Sequence, residues 1–180
     1  MKTGKIFGIC MLLFALIGPL VVYGGTEEFD KAMNPLVEQY LKIHDALAED
    51  NTEGVKKAAE QIVTLSDKVD PNTVTGEHKE HYRDLPMKIK KAAQKLAQGK
   101  DLGAAREAFK ELSRPVAMWA TMSKPKGVYV IYCSMASASW LQKDKAIRNP
   151  YHGSTMLRCG EIVGGEDHGQ GAHGQDTERH

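Results

Sequence analysis

Apolar positions from Phe29 onward recur at the three-and-four spacing of one helix face. Phe29, Met33, Leu36, Val37, Tyr40, Leu41, His44 and Leu47 form the first stripe. It predicts a helix from Thr26 to about Asp50, capped by Thr26, with Glu27, Glu28 and Asp30 suiting its positive first turn. Val55, Ala58, Ala59, Ile62, Leu65 and Val69 form a second stripe, with Asn51 as its cap and Asp70-Pro71-Asn72 as its stop. A third helix is predicted over Glu77 to Gln98, with apolar Tyr82, Leu85, Ile89, Ala92 and Leu96. Pro86 should kink or break it, and Gly99 should supply a left-handed stop. Asp101 caps a fourth, carrying Leu102, Ala105, Phe109, Leu112, Val116 and Trp119, with a kink expected at Pro115. Short connections between four such segments predict a mainly α fold, an antiparallel four-helix bundle.

The pattern changes at Lys124-Pro125-Lys126-Gly127. Val128 to Tyr132 is a β-branched and aromatic run, read as a strand, and Glu161-Ile162-Val163 as a second. Between them lie a polar connection, Trp140-Leu141, and the turn-rich stretch Arg148-Asn149-Pro150-Tyr151-His152-Gly153. The two strands are expected to pair as a small C-terminal β-hairpin/turn module over residues 127–163. Trp140 and Tyr151 should pack it onto the helices.

The first residues bring in another class of signal. Lys2 and Lys5 precede an almost unbroken apolar run from Ile6 to Val22, and Val22-Tyr23-Gly24 supplies small residues beyond it. That order predicts a secretory signal peptide over residues 1–24. The alternative is an uncleaved anchor, but the run is short of the ~20 apolar residues a spanning helix needs, and Gly18-Pro19 interrupt it. Cleavage removes Lys2 and Lys5 from the 24 basic residues, leaving 22 against 23 acidic ones, a balance of −1. A near-neutral chain without a basic stripe predicts no nucleic-acid partner. The expected organisation is one domain over residues 25–163, then a Gly/His-rich tail over 164–180 read as disordered, with His168, His173 and His180 as at most weak metal ligands.

Signal removal takes Cys10 with it and leaves Cys133 and Cys159. Each has a methionine beside it. Cys133 and Met135, two apart, share one face of an extended segment, and Met156 and Cys159, three apart, come together on one turn. If the two strands pair, two thiols and two thioethers converge at one end. Soft donors of this kind select Cu(I) and, by the same logic, Ag(I). Zinc would want more cysteine or histidine. The candidate metal ligands are therefore Cys133, Met135, Met156 and Cys159, with His152 able to replace one methionine. The competing reading is a structural Cys133–Cys159 disulfide, closing a loop of about 27 residues and adding roughly 3 kcal/mol. The two combine in a redox-gated site, oxidised when empty. Elsewhere the bland readings prevail. His44 is taken as a satisfied core histidine, His78 and His81 as solvated surface residues, and Met118 and Met122 as core or rim packing.

The stretch Val128 to Met135, then Trp140-Leu141, then Ile147 to Glu161 resembles the signature of a family of secreted bacterial domains of unknown function. That domain also forms the C-terminus of CusB-type periplasmic adaptor subunits of heavy-metal efflux pumps. The helical part, particularly Asp101-Leu102 through Ala105 to Phe109 and on to Leu112-Ser113, is similar to the same family. The resemblance implies a context, metal resistance in the periplasm, and no reaction. A second similarity is to the short heavy-metal-binding module with Cys-Pro-Met near its start and Cys-Gly near its end. Here Ser134 stands in place of the proline, and the usual second cysteine before Cys-Gly is absent, with Met156 in the earlier position.

No nucleophile motif, paired carboxylates, Gly-rich phosphate loop or Cys-x-x-Cys is present, so no enzyme is expected. The expected function is that of a periplasmic or secreted metal-binding accessory protein. It would buffer or deliver a soft ion, Cu(I) first, with a heavy-metal efflux adaptor or pump as partner and no membrane anchor after signal cleavage. The rival is a non-metal interaction module whose hairpin is stapled by the disulfide.

Overall fold

The computed structural model describes residues 25–77 and 79–165. The expected signal peptide, His78 and the tail beyond residue 165 with its three histidines lie outside them.

The helical body begins with α1 (Glu27–Ala48). Thr26 holds the cap position but its hydroxyl donates to Asp30 Oδ2 at 2.6 Å instead of capping. The other Asp30 oxygen accepts from Trp119 Nε1 at 2.7 Å and Ser123 Oγ at 2.6 Å, so the start of α1 is tied to the far end of the last helix. The second helix, α2 (Val55–Ser66), starts later than expected. Asn51 spends its side chain on Glu53 N, 2.8 Å away, and so closes a turn; Gly54, at φ +76°, takes the cap position.

Pro86 breaks the third predicted helix. A single turn, α3 (Lys79–Tyr82), is followed by α4 (Leu85–Ala97), with Pro86 in its first turn where a missing N–H costs nothing. Gly99 is not left-handed, contrary to expectation. A side chain there would lie 3.2 Å from Leu96 O and 3.4 Å from the Ala105 backbone, so glycine serves close approach to the next helix. That helix, α5 (Leu102–Ser123), is capped by Asp101, which accepts from Ala104 N at 2.8 Å, and it runs unbroken through Pro115.

Helix α2 packs on α1 and α4, α4 packs on α5, and α1 meets α5 more lightly. The protein is thus mainly helical, with a small antiparallel sheet at its C-terminal end. The sheet has three strands, where two were expected: β1 (Tyr129–Cys133), β2 (Ala138–Gln142) and β3 (Glu161–Gly164), in the order β2-β1-β3. The expected pairing of the first and last strands is present, with Ile131 opposite Ile162 and Tyr132 opposite Glu161. The tight hairpin, however, is β1–β2, pairing Ile131 with Trp140 and Cys133 with Ala138. Ala138-Ser139 hid β2 because neither residue is a strong strand former.

β2 lies on α5, and one core runs through both layers. The Tyr40 ring stacks on Phe109 at 4.7 Å, Phe109 meets Tyr151, and Tyr151 meets Trp140 edge-on at 5.6 Å. Tyr40 also carries a polar link: its hydroxyl pairs with Ser113 at 2.7 Å and accepts from Leu141 N at 3.2 Å. Burial pushes the Tyr40 phenol well above its ordinary value, so it stays a neutral strut between α1, α5 and β2.

Candidate functional site

The sheet brings the two cysteines to one corner. Cys133 ends β1, and Cys159 stands two residues before β3, almost opposite it in the antiparallel register. Their Sγ atoms are 2.9 Å apart, and no disulfide bond joins them. This exceeds the ~2.05 Å of a disulfide bond and is closer than two unbonded sulfurs ordinarily lie. Cys133 is 1% exposed, and Cys159 is half-buried.

Three local devices hold this corner. The first is Gly160, at φ +146°, where a Cβ would sit 2.8 Å from the Trp140 ring and 3.0 Å from Ile131; only glycine lets the chain run flat against the sheet. The second is Asn149, fully buried. Its Nδ2 donates to Cys159 O at 2.8 Å, its Oδ1 accepts from Tyr151 N and His152 N, and its backbone N–H donates to Leu157 O. The third is a clamp from the helical body. Arg106 donates through Nε to Pro150 O at 3.0 Å, through Nη2 to Leu47 O at 2.8 Å, and to Asp50. Asp50 in turn accepts from Ser154 N at 3.1 Å. His44, expected as a satisfied core residue, is one: its ring pairs with Arg148 O at 2.8 Å and with Asp45 at 3.0 Å.

The two thiols are electrostatically unequal. Burial raises the Cys133 pKa, but hydrogen bonds from Cys159, the N–H groups of Ala136 and Met135, and the Asn149 side chain outweigh it and bring it below the ordinary thiol value. The same Cys159–Cys133 bond, followed by burial, raises Cys159. Of the two, Cys133 is therefore the readier to ionise and Cys159 the one that keeps its proton.

Of the five residues singled out as metal ligands, the structure joins only these two by their side chains. The methionines reach the corner through their backbones: the Met135 N–H serves both sulfurs, and Met156 O accepts from Cys159 N at 3.0 Å. Their side chains face solvent, Met135 67% and Met156 36% exposed. The His152 ring is half-buried with Nε2 enclosed and unpaired, while its backbone N–H and carbonyl close the loop with Asn149 and Thr155. Among the described residues no three His, Cys, Asp or Glu side chains gather to hold a metal ion.

Residues 36–126 match the family model described as "Protein of unknown function (DUF3347)". The chain belongs to this family. The matched stretch runs from within α1 to just beyond α5 and stops before β1, so what this DUF3347 member shares with the model is its helical body, and the cysteine corner lies beyond it. No curated protein and no solved structure matches the chain. Asn149, Arg106 and Asp50 were not legible as parts of the corner. The Asn-Pro pair signalled a turn, but its partners are distant in sequence.

Proposed function

We propose that this DUF3347 protein is an exported, soft-metal-binding accessory protein that takes Cu(I), or Ag(I), at the Cys133/Cys159 corner and buffers or delivers it in the setting of heavy-metal efflux. The observation that carries the reading is the pair of cysteine sulfurs 2.9 Å apart, the inner one the readier of the two to ionise and the other half-open to solvent. Cys159 serves as the entry ligand and Cys133 as the anchored one. An ion held by both sulfurs would keep them farther apart than 2.9 Å. Loading therefore widens the corner, and Cys159, on a loop, is the member able to move. Met135 and Met156 act as outer ligands: long, unbranched, exposed side chains rooted at the same point swing onto the ion. Thiols must lose protons to bind, so affinity falls with acid through the cysteines and not through the thioethers.

The proximity of the sulfurs also suits a second reading, a disulfide that staples β1 to the 149–160 loop of a non-metal interaction module. Anaerobic titration of reduced protein with Cu(I) against a competing chelator separates the two. One tight equivalent, lost in Cys133→Ser and weakened about tenfold or more in the double change Met135→Leu/Met156→Leu, is expected. Absence of competition by the reduced protein, together with no free thiol in protein prepared without reductant, establishes the stapled module instead.

A further inference from the structure

The near-neutral charge of the whole chain conceals a local imbalance. Helix α4 carries Lys88, Lys90, Lys91 and Lys95 and no acidic residue. Lys90 turns to Asp67 at the end of α2. The other three line a groove between α4 and α5, of about 520 Å³, together with Lys110 and Arg114 from α5. Its lining includes the buried Ala92 and Pro115, and Glu107 and Glu111 are its only acidic lining. Those two carboxylates are spent at one end: Glu111 pairs with Lys95 and Glu107 with Lys110. Toward the other end Lys88 has only a loose contact with Asp84 at 4.0 Å, and Lys91 and Arg114, both exposed, make no ion pair among the described residues. The same end of the two antiparallel helices shows exposed Met87 and Met118.

We infer that the α4–α5 groove is a docking site for an acidic peptide segment of a partner protein. The arrangement of charge chooses this occupant. Lys88, Lys91 and Lys95 are spread over about 10 Å of helix, at 1.5 Å per residue, and do not converge on one point. A single phosphate needs convergence; a run of carboxylates spaced along a peptide needs this spread. A lipid headgroup layer meets flat or convex surfaces, whereas these cations stand on both walls of a trough. Nucleic acid is disfavoured because no aromatic side chain lines the trough to stack a base. Charge complementarity of this kind governs encounter rate and selectivity. The groove lies wholly within the family-matched residues and apart from the cysteine corner, so the inference stands or falls independently of metal binding.

The test uses a fluorescently labelled deca-glutamate peptide, with binding followed by anisotropy at low and physiological salt. The same titration is mapped by amide chemical shifts in the full chain. Saturable binding that weakens with salt, with shifts concentrated at Lys88, Lys91, Lys95, Lys110 and Arg114, is expected. Lys91→Glu/Arg114→Glu should weaken it by about tenfold or more, and Lys57→Glu on α2 by less than about twofold. Circular dichroism confirms that these surface variants fold. Absence of saturation, or equal loss in the Lys57 variant, overturns the site. Tighter capture of inorganic phosphate, phosphatidylglycerol vesicles or a single-stranded oligonucleotide through the same residues overturns the assigned occupant.

Discussion

Gly153 has no room for a side chain. It sits at φ +55°, and a Cβ would lie 1.9 Å from Asp50 Oδ1 and 2.1 Å from Arg106 Nη2. Gly153→Ala should therefore cost the ~1–2 kcal/mol of a left-handed backbone and in addition push apart the Arg106–Asp50 clamp. Urea unfolding reads the loss. The same change at Gly54, also left-handed but open to solvent, supplies the backbone cost alone; equal losses at the two positions would show that the clamp adds nothing. From the sequence, Gly153 was recognisable as a turn glycine. Its real constraint comes from residues roughly fifty and a hundred positions away, which no local pattern encodes. Asn149 is a similar case: Asn-Pro signals a turn, but the bond to Cys159 O exists only because β3 folds back on β1.

The clamp joins the end of α1 and the flank of α5 to the 149–155 loop. Hydrogen bonds from Ser154, then from Arg106, hold the Asp50 carboxyl down at about 2, against an ordinary value near 3.8. A depressed carboxyl favours the fold at pH above its unfolded value, and the advantage disappears as acid protonates it in the folded state. Docking of the loop should accordingly be intact at pH 5 and loosen between about pH 4 and 2. Amide exchange at Ser154, compared with that of Leu141 in β2, checks this: earlier loss of protection at Ser154 is expected, and simultaneous loss would assign acid sensitivity elsewhere. The elements themselves were legible where periodicity was long. The four long helices follow their stripes, and Pro86 broke the third as predicted. β2 was missed because a five-residue strand beginning Ala-Ser has no alternation to detect, and its partner supplies what its propensity lacks.

Helices and sheet share one core, with Trp119 in α5 and Trp140 in β2 both fully buried. The family-matched residues 36–126 contain only the first of these tryptophans. Because Tyr40, Phe109, Tyr151 and Trp140 form a continuous chain of rings across the layers, the protein should unfold as a unit. Trp119→Phe and Trp140→Phe leave one reporter in each layer. Coincident guanidinium midpoints are expected, after allowing for each variant's own stability by circular dichroism. A sheet reporter that melts first would make the C-terminal module an independent attachment. Among the described residues no helix is long and apolar enough to cross a membrane.

Local pattern determined the helix stripes, the strand at Val128–Tyr132, the turn at Asn149 and the pairing of each cysteine with a nearby methionine, because these depend on spacings within a few residues. Tertiary structure decided the rest. It placed the two sulfurs at 2.9 Å while leaving the thioethers in solvent, and it collected lysines from one helix and an arginine from the next along a single groove. The physical reason is the same in each case. Side-chain direction and charge neighbourhood are set by which elements pack together, and composition averages over both.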